Sequence, residues 1–165
     1  MNVDPNGHAW YNILWDWANT IAGFLNPIST MTAIGAIVTS TFNGKWPGLV
    51  ADYKAGRLNP FNQDAILAGE ANVLSFYKGS TVIDQNIVST CSAFGTIWKV
   101  GVEDDQTITH EYGHSVQERI LGLAYWTNIA ILSMLYFEFG SNRDRDYYST
   151  PWERTADLLG GVKGN

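Results

Sequence analysis

Residues 110–114 read HEYGH, an HExxH run that takes two of the three histidines in the chain. Residues four positions apart lie on one face of a helix, so His110 and His114 can reach a single ion while Glu111 points alongside them. Neutral imidazole nitrogens bind Zn²⁺ well, and a zinc ion with an open coordination position lowers the pKa of its bound water toward neutrality. The run therefore predicts a zinc-binding helix on which Glu111 acts as the base.

The sequence around this helix predicts an α+β fold, mostly helical, in a single domain that spans residues 1–165. This length suits one domain with its own core. The stretches TVIDQNIV (81–88) and CSAFGTIWKV (91–100) are rich in β-branched and aromatic residues, and they predict a small β-sheet next to the HExxH helix. Apolar periodicity and turn residues predict further helices over residues 9–24, 30–41, 48–54, 125–139 and 151–159, and one that begins at Asn62 or Asp64 and runs toward Tyr77.

Charge and cysteine content exclude several classes of protein and site. The net charge is −6, the pI is near 4.8 and the ten Lys and Arg residues are scattered, so the chain lacks the basic patch of a nucleic-acid-binding protein. A single cysteine, Cys91, excludes an intrachain disulfide framework and a cysteine-based zinc cluster. A metal ion must therefore rest on histidine and carboxylate side chains.

The N-terminal part of the chain carries little charge. The first basic residue is Lys45, and no charged residue lies between Asp16 and Lys45. An ordinary signal peptide begins with basic residues, so the sequence predicts none here. The uncharged stretches 17–44 and 120–137 contain Asn, Ser and Thr residues that would leave polar groups unsatisfied in lipid. This composition argues against membrane insertion and predicts buried helices, with a turn at residues 26–27.

A catalytic zinc site usually takes three protein ligands, so a carboxylate from elsewhere should join the two histidines. Glu153 and Asp157 lie four residues apart in WERTAD, on one face of the last predicted helix. Glu153 is therefore the candidate third ligand. Asp157 is placed to accept a hydrogen bond from a ligating histidine.

Glu153 has an alternative structural role. The sequence TPWE at 150–153 matches the capping box, in which the glutamate folds back onto the start of its own helix. We favour Glu153 as a ligand because a cap alone would leave the HEYGH helix with only two metal ligands. Asp157, Asp146 and His8 are the substitutes if Glu153 serves as the cap.

Other residues are candidates for positions around the metal. Gly113 within the helix costs about 0.5–1 kcal/mol relative to alanine, which indicates that something packs or binds close to the backbone there. Gln117 lies near the same helix face and could orient a ligand or the substrate. The polar loop at 141–150 supplies four candidates for stabilising an oxyanion or contacting the substrate, namely Arg143, Arg145, Tyr147 and Tyr148.

The chain resembles two groups of proteins in these motifs. HEYGH followed by the downstream ExxxD pair is similar to the zincin metallopeptidases whose third ligand is a glutamate. That resemblance implies a minimal zincin-like fold with the zinc ligands His110, His114 and Glu153, with Glu111 as general base and Asp157 as the support of a histidine. More narrowly, HEYGHSVQ with the terminal ERTADLLGGV resembles the metallopeptidase-like domains at the C-terminal tips of Rhs/YD-repeat polymorphic toxins.

The N terminus adds to the second resemblance. Residues 4–7 read DPNG, which is similar to the junction at which Rhs repeat cores meet their variable toxin tips. The resemblance implies that residues 1–8 join the domain to a carrier protein, which is secreted or delivers the domain into a target cell. It also implies an immunity protein as a further partner.

The sequence thus predicts a zinc-dependent peptidase that acts as a toxin domain on a protein or peptide substrate. Two alternatives stay open: a membrane-acting toxin that inserts its uncharged helical segments, and an inactive zinc-bound interaction domain. Leakage of liposomes that survives the loss of both HEYGH histidines would favour the first alternative. Stoichiometric zinc without cleavage of any peptide would favour the second.

Overall fold

The computed structural model describes residues 10–61, 73–84, 90–100, 105–139 and 147–162. Over these ranges helices lie on both faces of one small sheet, so the predicted α+β fold, mostly helical, is confirmed. The helices are α1 (Trp10–Phe24), α2 (Pro27–Phe42), α3 (Trp46–Lys54), α4 (Asp105–Leu121), α5 (Leu123–Tyr125), α6 (Ile131–Phe139) and α7 (Pro151–Gly160), with a π-helical turn at Trp126–Ala130. The strands are β1 (Leu74–Tyr77), β2 (Ser80–Asp84), β3 (Cys91–Ala93) and β4 (Thr96–Lys99).

The sheet has the strand order β1-β2-β4-β3, in which β2 and β4 are parallel and the two outer pairs are antiparallel. Both antiparallel pairs are hairpins with two-residue turns. Lys78 and Gly79 have φ angles of 46° and 79°, and Phe94 and Gly95 have φ angles of 54° and 72°. Type I′ turns require such left-handed pairs. Gly79 is also needed for space, because a Cβ there would overlap the Thr20 carbonyl of α1.

Alternate side chains of the strands build two cores, one on each face of the sheet. The core against α4 consists of Tyr77, Val82, Ile97, Ile108, Tyr112 and Val116, with Leu159 of α7 packed on it. The core against α2 and α3 includes Ala33, Ala36, Leu49, Leu74 and Ile83. The sheet therefore separates α2 and α3 from α4 and α7, and it gives α4 a packed base.

The prediction of a helix that runs toward Tyr77 is wrong at its C-terminal end, because Leu74–Tyr77 forms strand β1. Residues 62–72, where the helix is predicted to begin, lie outside the described residues. The side chains of β1 alternate between the two faces of the sheet, as in a strand: Leu74 and Phe76 pack on the α2 face, and Tyr77 packs on the α4 face. The two-residue turn that follows pairs the segment with β2, so tertiary pairing outweighs the helical spacing of the preceding apolar residues.

The start of α2 lies earlier than the sequence predicts, because Asn26 caps it. The Asn26 side chain accepts hydrogen bonds from the amides of Ile28 and Ser29 at 3.0 and 3.3 Å. Pro27 opens the helix, a position where its missing N–H costs nothing. The Asn-Pro pair therefore both ends α1 and starts α2, at a bend of 62°.

The prediction that the two uncharged stretches form buried helices is wrong for their large apolar side chains. The residues that α2 buries are Ser29, Ala33, Ala36 and Ser40, whereas its Ile, Met, Val and Phe side chains are exposed. On α6 the exposed residues include Ile131, Leu132, Met134 and Leu135. Within the described ranges, no single helix is both long and apolar enough to cross a membrane, while the bent pair 17–24 and 27–42 meets that criterion jointly.

Candidate metal centre

Helices α4 and α7 pack with their backbones in contact at two glycines. A Cβ on Gly113 of α4 would overlap the Ala156 carbonyl of α7, and a Cβ on Gly160 of α7 would overlap the Thr109 carbonyl of α4. The prediction that something packs close to the backbone at Gly113 is confirmed, and that neighbour is α7. This close approach brings the acidic face of α7 onto the histidine face of α4.

Three candidate ligand atoms converge between the two helices. Glu153 Oε2 lies 3.0 Å from His110 Nε2 and 3.3 Å from His114 Nε2. Ligand atoms of the three residues all fall within 4.8 Å of one another. Zinc bonds of about 2.0–2.2 Å in a tetrahedral site separate neighbouring ligand atoms by roughly 3.3 Å. The two distances from Glu153 match this spacing, so the three residues are a group that could hold a metal ion.

Glu153 does not take part in a capping box. The Thr150 side chain makes no capping hydrogen bond and instead donates to the Tyr147 carbonyl at 2.7 Å. Both carboxylate oxygens of Glu153 face other residues: Oε2 faces the two imidazoles, and Oε1 accepts a hydrogen bond from Ser133 at 3.1 Å. The capping alternative is excluded, and the fully buried Glu153 points into the candidate site.

The outer nitrogen of each imidazole has an acceptor. His110 Nδ1 lies 2.7 Å from Asp157 Oδ1, and His114 Nδ1 lies 2.8 Å from Gln117 Oε1. Gln117 Nε2 donates to the Trp152 carbonyl at 2.7 Å, which turns the amide oxygen toward the imidazole. With protons on Nδ1, both histidines direct their Nε2 lone pairs inward, as a metal site requires. The structure thus places Asp157 and Gln117 where they can orient the two candidate ligands.

Ser133 was not singled out by the sequence, yet it contacts the candidate ligand carboxylate. It lies on α6, donates to Glu153 Oε1 at 3.1 Å and is 2.6 Å from the Tyr147 hydroxyl. This contact fixes the carboxylate oxygen that does not face the imidazoles. The signal available in the sequence is the single serine in the apolar stretch ILSMLYF (131–137), because a serine hydroxyl in such surroundings needs a partner.

Glu111 lies beside the candidate ligands and against β3. The backbone amide of Ser92 in β3 donates to its carboxylate, and the Ser92 hydroxyl is 2.7 Å from the Ser115 hydroxyl of α4. Burial raises the pKa of Glu111 to about 7, an effect that the positive charges of His114 and His110 partly oppose. A carboxyl group with a pKa near neutrality can both accept and release a proton at physiological pH.

Hydrogen bonds and charge hold the three candidate ligands together. Burial alone would lower the pKa of His110, but hydrogen bonds to Glu153 and Asp157 outweigh it and raise that pKa to about 9. Burial alone would also lower the pKa of His114, but the hydrogen bond to Glu153 outweighs burial and raises that pKa. Burial alone would raise the pKa of Glu153, but the hydrogen bonds from both imidazoles hold it well below its ordinary value. Protonated imidazoles and an ionised carboxylate therefore stabilise this arrangement when no metal is bound.

The histidine face of α4 opens onto a cleft of about 770 Å³. Helix α4 contributes His110, Glu111 and His114 to its lining, and β3 contributes Cys91. Tyr125, a second residue that the sequence did not single out, also lines the cleft, with its ring centroid 6.4 Å from that of His114. A volume of this size lies in the range of ligand-binding clefts.

Of the four residues predicted to contact the substrate, the structure describes two. Tyr147 and Tyr148 line the cleft, and the Tyr148 ring centroid lies 6.3 Å from that of His110. Arg143 and Arg145 fall outside the described residues. The same holds for two substitutes considered for Glu153, namely Asp146 and His8.

No protein-family model, curated protein or solved structure matches this chain. Its function is therefore inferred from the geometry of the α4–α7 site and from the resemblance of its motifs.

Proposed function

We propose that this domain hydrolyses peptide bonds with a Zn²⁺ ion bound by His110, His114 and Glu153. The observation that carries the proposal is the convergence of their ligand atoms, with both outer imidazole nitrogens held by acceptors. Two imidazole nitrogens and one carboxylate oxygen are a donor set of zinc hydrolases, in which a fourth position holds water or substrate. When bound, the ion would polarise the scissile carbonyl and lower the pKa of that water.

Glu111 would move protons in this reaction. Its carboxylate lies beside the candidate ligands and against β3, where burial raises its pKa to about 7. It would take a proton from the attacking water and deliver it to the leaving amine. Tyr148, which is exposed in the cleft on the side of His110, is the described candidate for contacting the substrate oxyanion. The hydroxyl of Tyr147 instead forms a hydrogen bond with the hydroxyl of Ser133.

One substitution separates metal binding from catalysis. Glu111→Gln removes the base and leaves the three candidate ligands, so it should retain stoichiometric zinc and lose hydrolysis by about 10²–10⁴-fold. Elemental analysis measures the zinc, and cleavage of an unfolded protein and a peptide library measures hydrolysis. Thr155→Ala, at an exposed position of α7 that does not line the cleft, is the control and should keep both properties.

The outcomes of this experiment distinguish the remaining possibilities. A fully active Glu111→Gln protein would refute the mechanism. An unaltered chain that never retains zinc would refute the site. Stoichiometric zinc in an unaltered chain that cleaves no peptide would identify an inactive interaction domain instead.

The biological setting that we propose is that of a toxin domain delivered by a carrier. Its support is the resemblance of HEYGHSVQ, ERTADLLGGV and the DPNG segment to the tips of Rhs-type proteins. Expression of the domain inside a test cell should then arrest growth, and Glu111→Gln should relieve the arrest at equal protein level. Equal toxicity of the two proteins would contradict the link between toxicity and hydrolysis.

A further inference from the structure

Helix α2 reverses the usual arrangement of a surface helix. The side chains that it buries are all small, namely Ser29, Ala33, Ala36 and Ser40. Its large apolar side chains are between 40% and 84% exposed, namely Ile28, Met31, Ile34, Ile37, Val38 and Phe42. A helix on a water-exposed protein surface normally buries its large apolar side chains and exposes polar ones. What α2 presents to its surroundings is therefore mostly hydrocarbon.

Helix α1 also exposes large apolar side chains. The large apolar side chains exposed on this helix include Trp15, Trp17, Ile21 and Phe24. We name the exposed Leu, Ile, Met, Val, Phe and Trp side chains of residues 14–42 the apolar face. Apolar surface that runs along two successive helices marks an interaction site rather than the scattered exposure usual for single residues.

The exposed hydroxyl groups of α2 find their acceptors on the chain itself. Thr32, Thr39 and Thr41 each donate to the backbone carbonyl four residues earlier, at 2.7, 2.9 and 2.8 Å. Thr30 donates to the Phe24 carbonyl at 3.1 Å. In water a threonine hydroxyl needs no protein acceptor, whereas in hydrocarbon an unsatisfied donor is costly. The polar groups of α2 are thus arranged in a way that apolar surroundings tolerate.

From residue 17 onward the segment that carries the apolar face lacks charge, and exposed tryptophans lie near both of its ends. No charged residue lies between Asp16 and Lys45. Trp15 and Trp17 near the start, and Trp46 just beyond the end, are exposed. Indole rings favour the headgroup level of a bilayer, where one edge is apolar and the other is hydrated. A protein partner would ordinarily meet a rim with charged as well as polar residues, and residues 17–44 supply no charge.

From these observations we propose that the apolar face binds the surface of a lipid bilayer, with α1 and α2 in the plane of the interface and their large side chains among the outer acyl segments. The 62° bend between the helices, neither of which is long and apolar enough to cross a membrane, fits a surface-bound arrangement. Helices α4 and α7 pack on the face of the sheet opposite α2, so the cleft would lie away from the bilayer that α2 contacts. The proposal stands independently of the metal site.

The charge of the chain specifies which lipids should be bound. With a net charge of −6, the protein gains no attraction from anionic headgroups. The contact of apolar side chains with acyl chains must then supply the affinity, and this contribution is insensitive to screening by salt. Vesicles of phosphatidylcholine, which carry no net charge, are therefore the appropriate probe.

Cosedimentation of the full chain with sucrose-loaded phosphatidylcholine vesicles tests the proposal. We expect the protein to pellet with these vesicles at low and high salt alike, with a blue shift of its tryptophan fluorescence. The triple variant Met31→Glu, Ile34→Glu, Val38→Glu should reduce partitioning by about tenfold or more, because a carboxylate is costly among acyl chains. The matched control is Leu158→Glu, which changes a side chain that is 79% exposed on α7 and should leave partitioning unchanged.

Each outcome supports or overturns the proposal. The far-ultraviolet circular dichroism spectrum and the melting temperature check that the triple variant folds. Failure of the unaltered chain to pellet with neutral vesicles overturns the proposal, as does equal pelleting of the folded triple variant. Pelleting only with anionic vesicles, abolished by salt, would assign the binding to charge and overturn it too. Self-association that the triple variant loses, without vesicle binding, would make the apolar face a contact between two copies.

Discussion

The helical layers on the two faces of the sheet use their side chains in opposite ways. Helices α4 and α7 bury polar groups against each other, among them His114, Gln117 and Glu153. Helix α2 buries small residues and exposes large apolar ones. Burying an ionised group is costly unless the group is paired. Exposing apolar surface gives up the stabilisation from its burial, which is about 25 cal/mol per Å². We interpret both departures from a simple globular pattern as marks of binding, one for a cation and the other for an apolar surface.

Loss of the carboxylate between α4 and α7 should have the largest effect. Glu153→Gln removes the negative oxygen that lies 3.0 and 3.3 Å from the two Nε2 atoms, so tight metal binding should be abolished. Loss of a helix cap would instead cost only about 1 kcal/mol of stability and leave the metal in place. Elemental analysis after gel filtration measures the metal, and Thr155→Ala on the exposed side of α7 is the control. Full zinc occupancy in Glu153→Gln would contradict the site.

Loss of an acceptor behind an imidazole should weaken the site without abolishing it. Asp157→Asn leaves a poorer acceptor 2.7 Å from His110 Nδ1, and Gln117→Ala removes the acceptor of His114 Nδ1. Each change should lower the affinity for zinc by about 10–100-fold, because the imidazole loses its fixed tautomer and orientation. Titration against a chelator measures the affinity. An unchanged affinity in both variants would show that the two acceptors do not support the site.

A pair of glycine substitutions compares the two helical layers directly. Gly113→Ala pushes a methyl group into the backbone of α7 and should lower the free energy of unfolding by about 1–3 kcal/mol. Gly35→Ala in α2 meets nothing within 4 Å and should raise it by about 0.5–1 kcal/mol, since alanine favours helix. Urea unfolding measures both free energies, and metal affinity should fall only for Gly113→Ala. A stabilising Gly113→Ala would mean that the helices do not touch at this point.

A pH dependence confined to the α4–α7 layer is also expected. The pKa of His110 is raised from 6.5 to about 9 in the folded chain. The stability that this proton contributes to the metal-free protein is therefore complete below pH 6.5 and is lost as the pH rises through about 9. Metal binding must release this proton, so the affinity for metal should rise over the same window.

Urea unfolding of the metal-free protein at a series of pH values measures the stability effect, and chelator competition measures the affinity. His110→Gln should flatten the decline in stability over the window in which His110 titrates. A metal-free protein that gains stability between pH 6.5 and 9 would contradict the raised pKa of His110.

The parts of the candidate site that lie within one helix can be predicted from the sequence. His110 and His114, like Glu153 and Asp157, are four residues apart, so helix geometry alone puts each pair on one face. Gly113 also predicts a close neighbour of the α4 backbone, because a glycine inside a helix indicates close packing. These features predicted which faces of α4 and α7 meet.

Other features depend on contacts between distant parts of the chain. Ser133 reaches the α7 carboxylate from α6, and no spacing in the sequence relates the two. The exposure of the apolar face was missed because nearly every side chain of 27–42 is apolar or small. Periodicity then distinguishes large from small residues but does not decide which of them meets the sheet.

Cys91 gives the chain a practical property, because it is the only cysteine and lies exposed on the wall of the cleft. Partial burial and the nearby Glu111 carboxylate raise the pKa of its thiol, so alkylation should be slow at neutral pH and faster in mild alkali. A dye attached there would occupy one defined position next to Glu111. Its emission would then report the arrival of a peptide in the cleft, even with an uncleavable analogue.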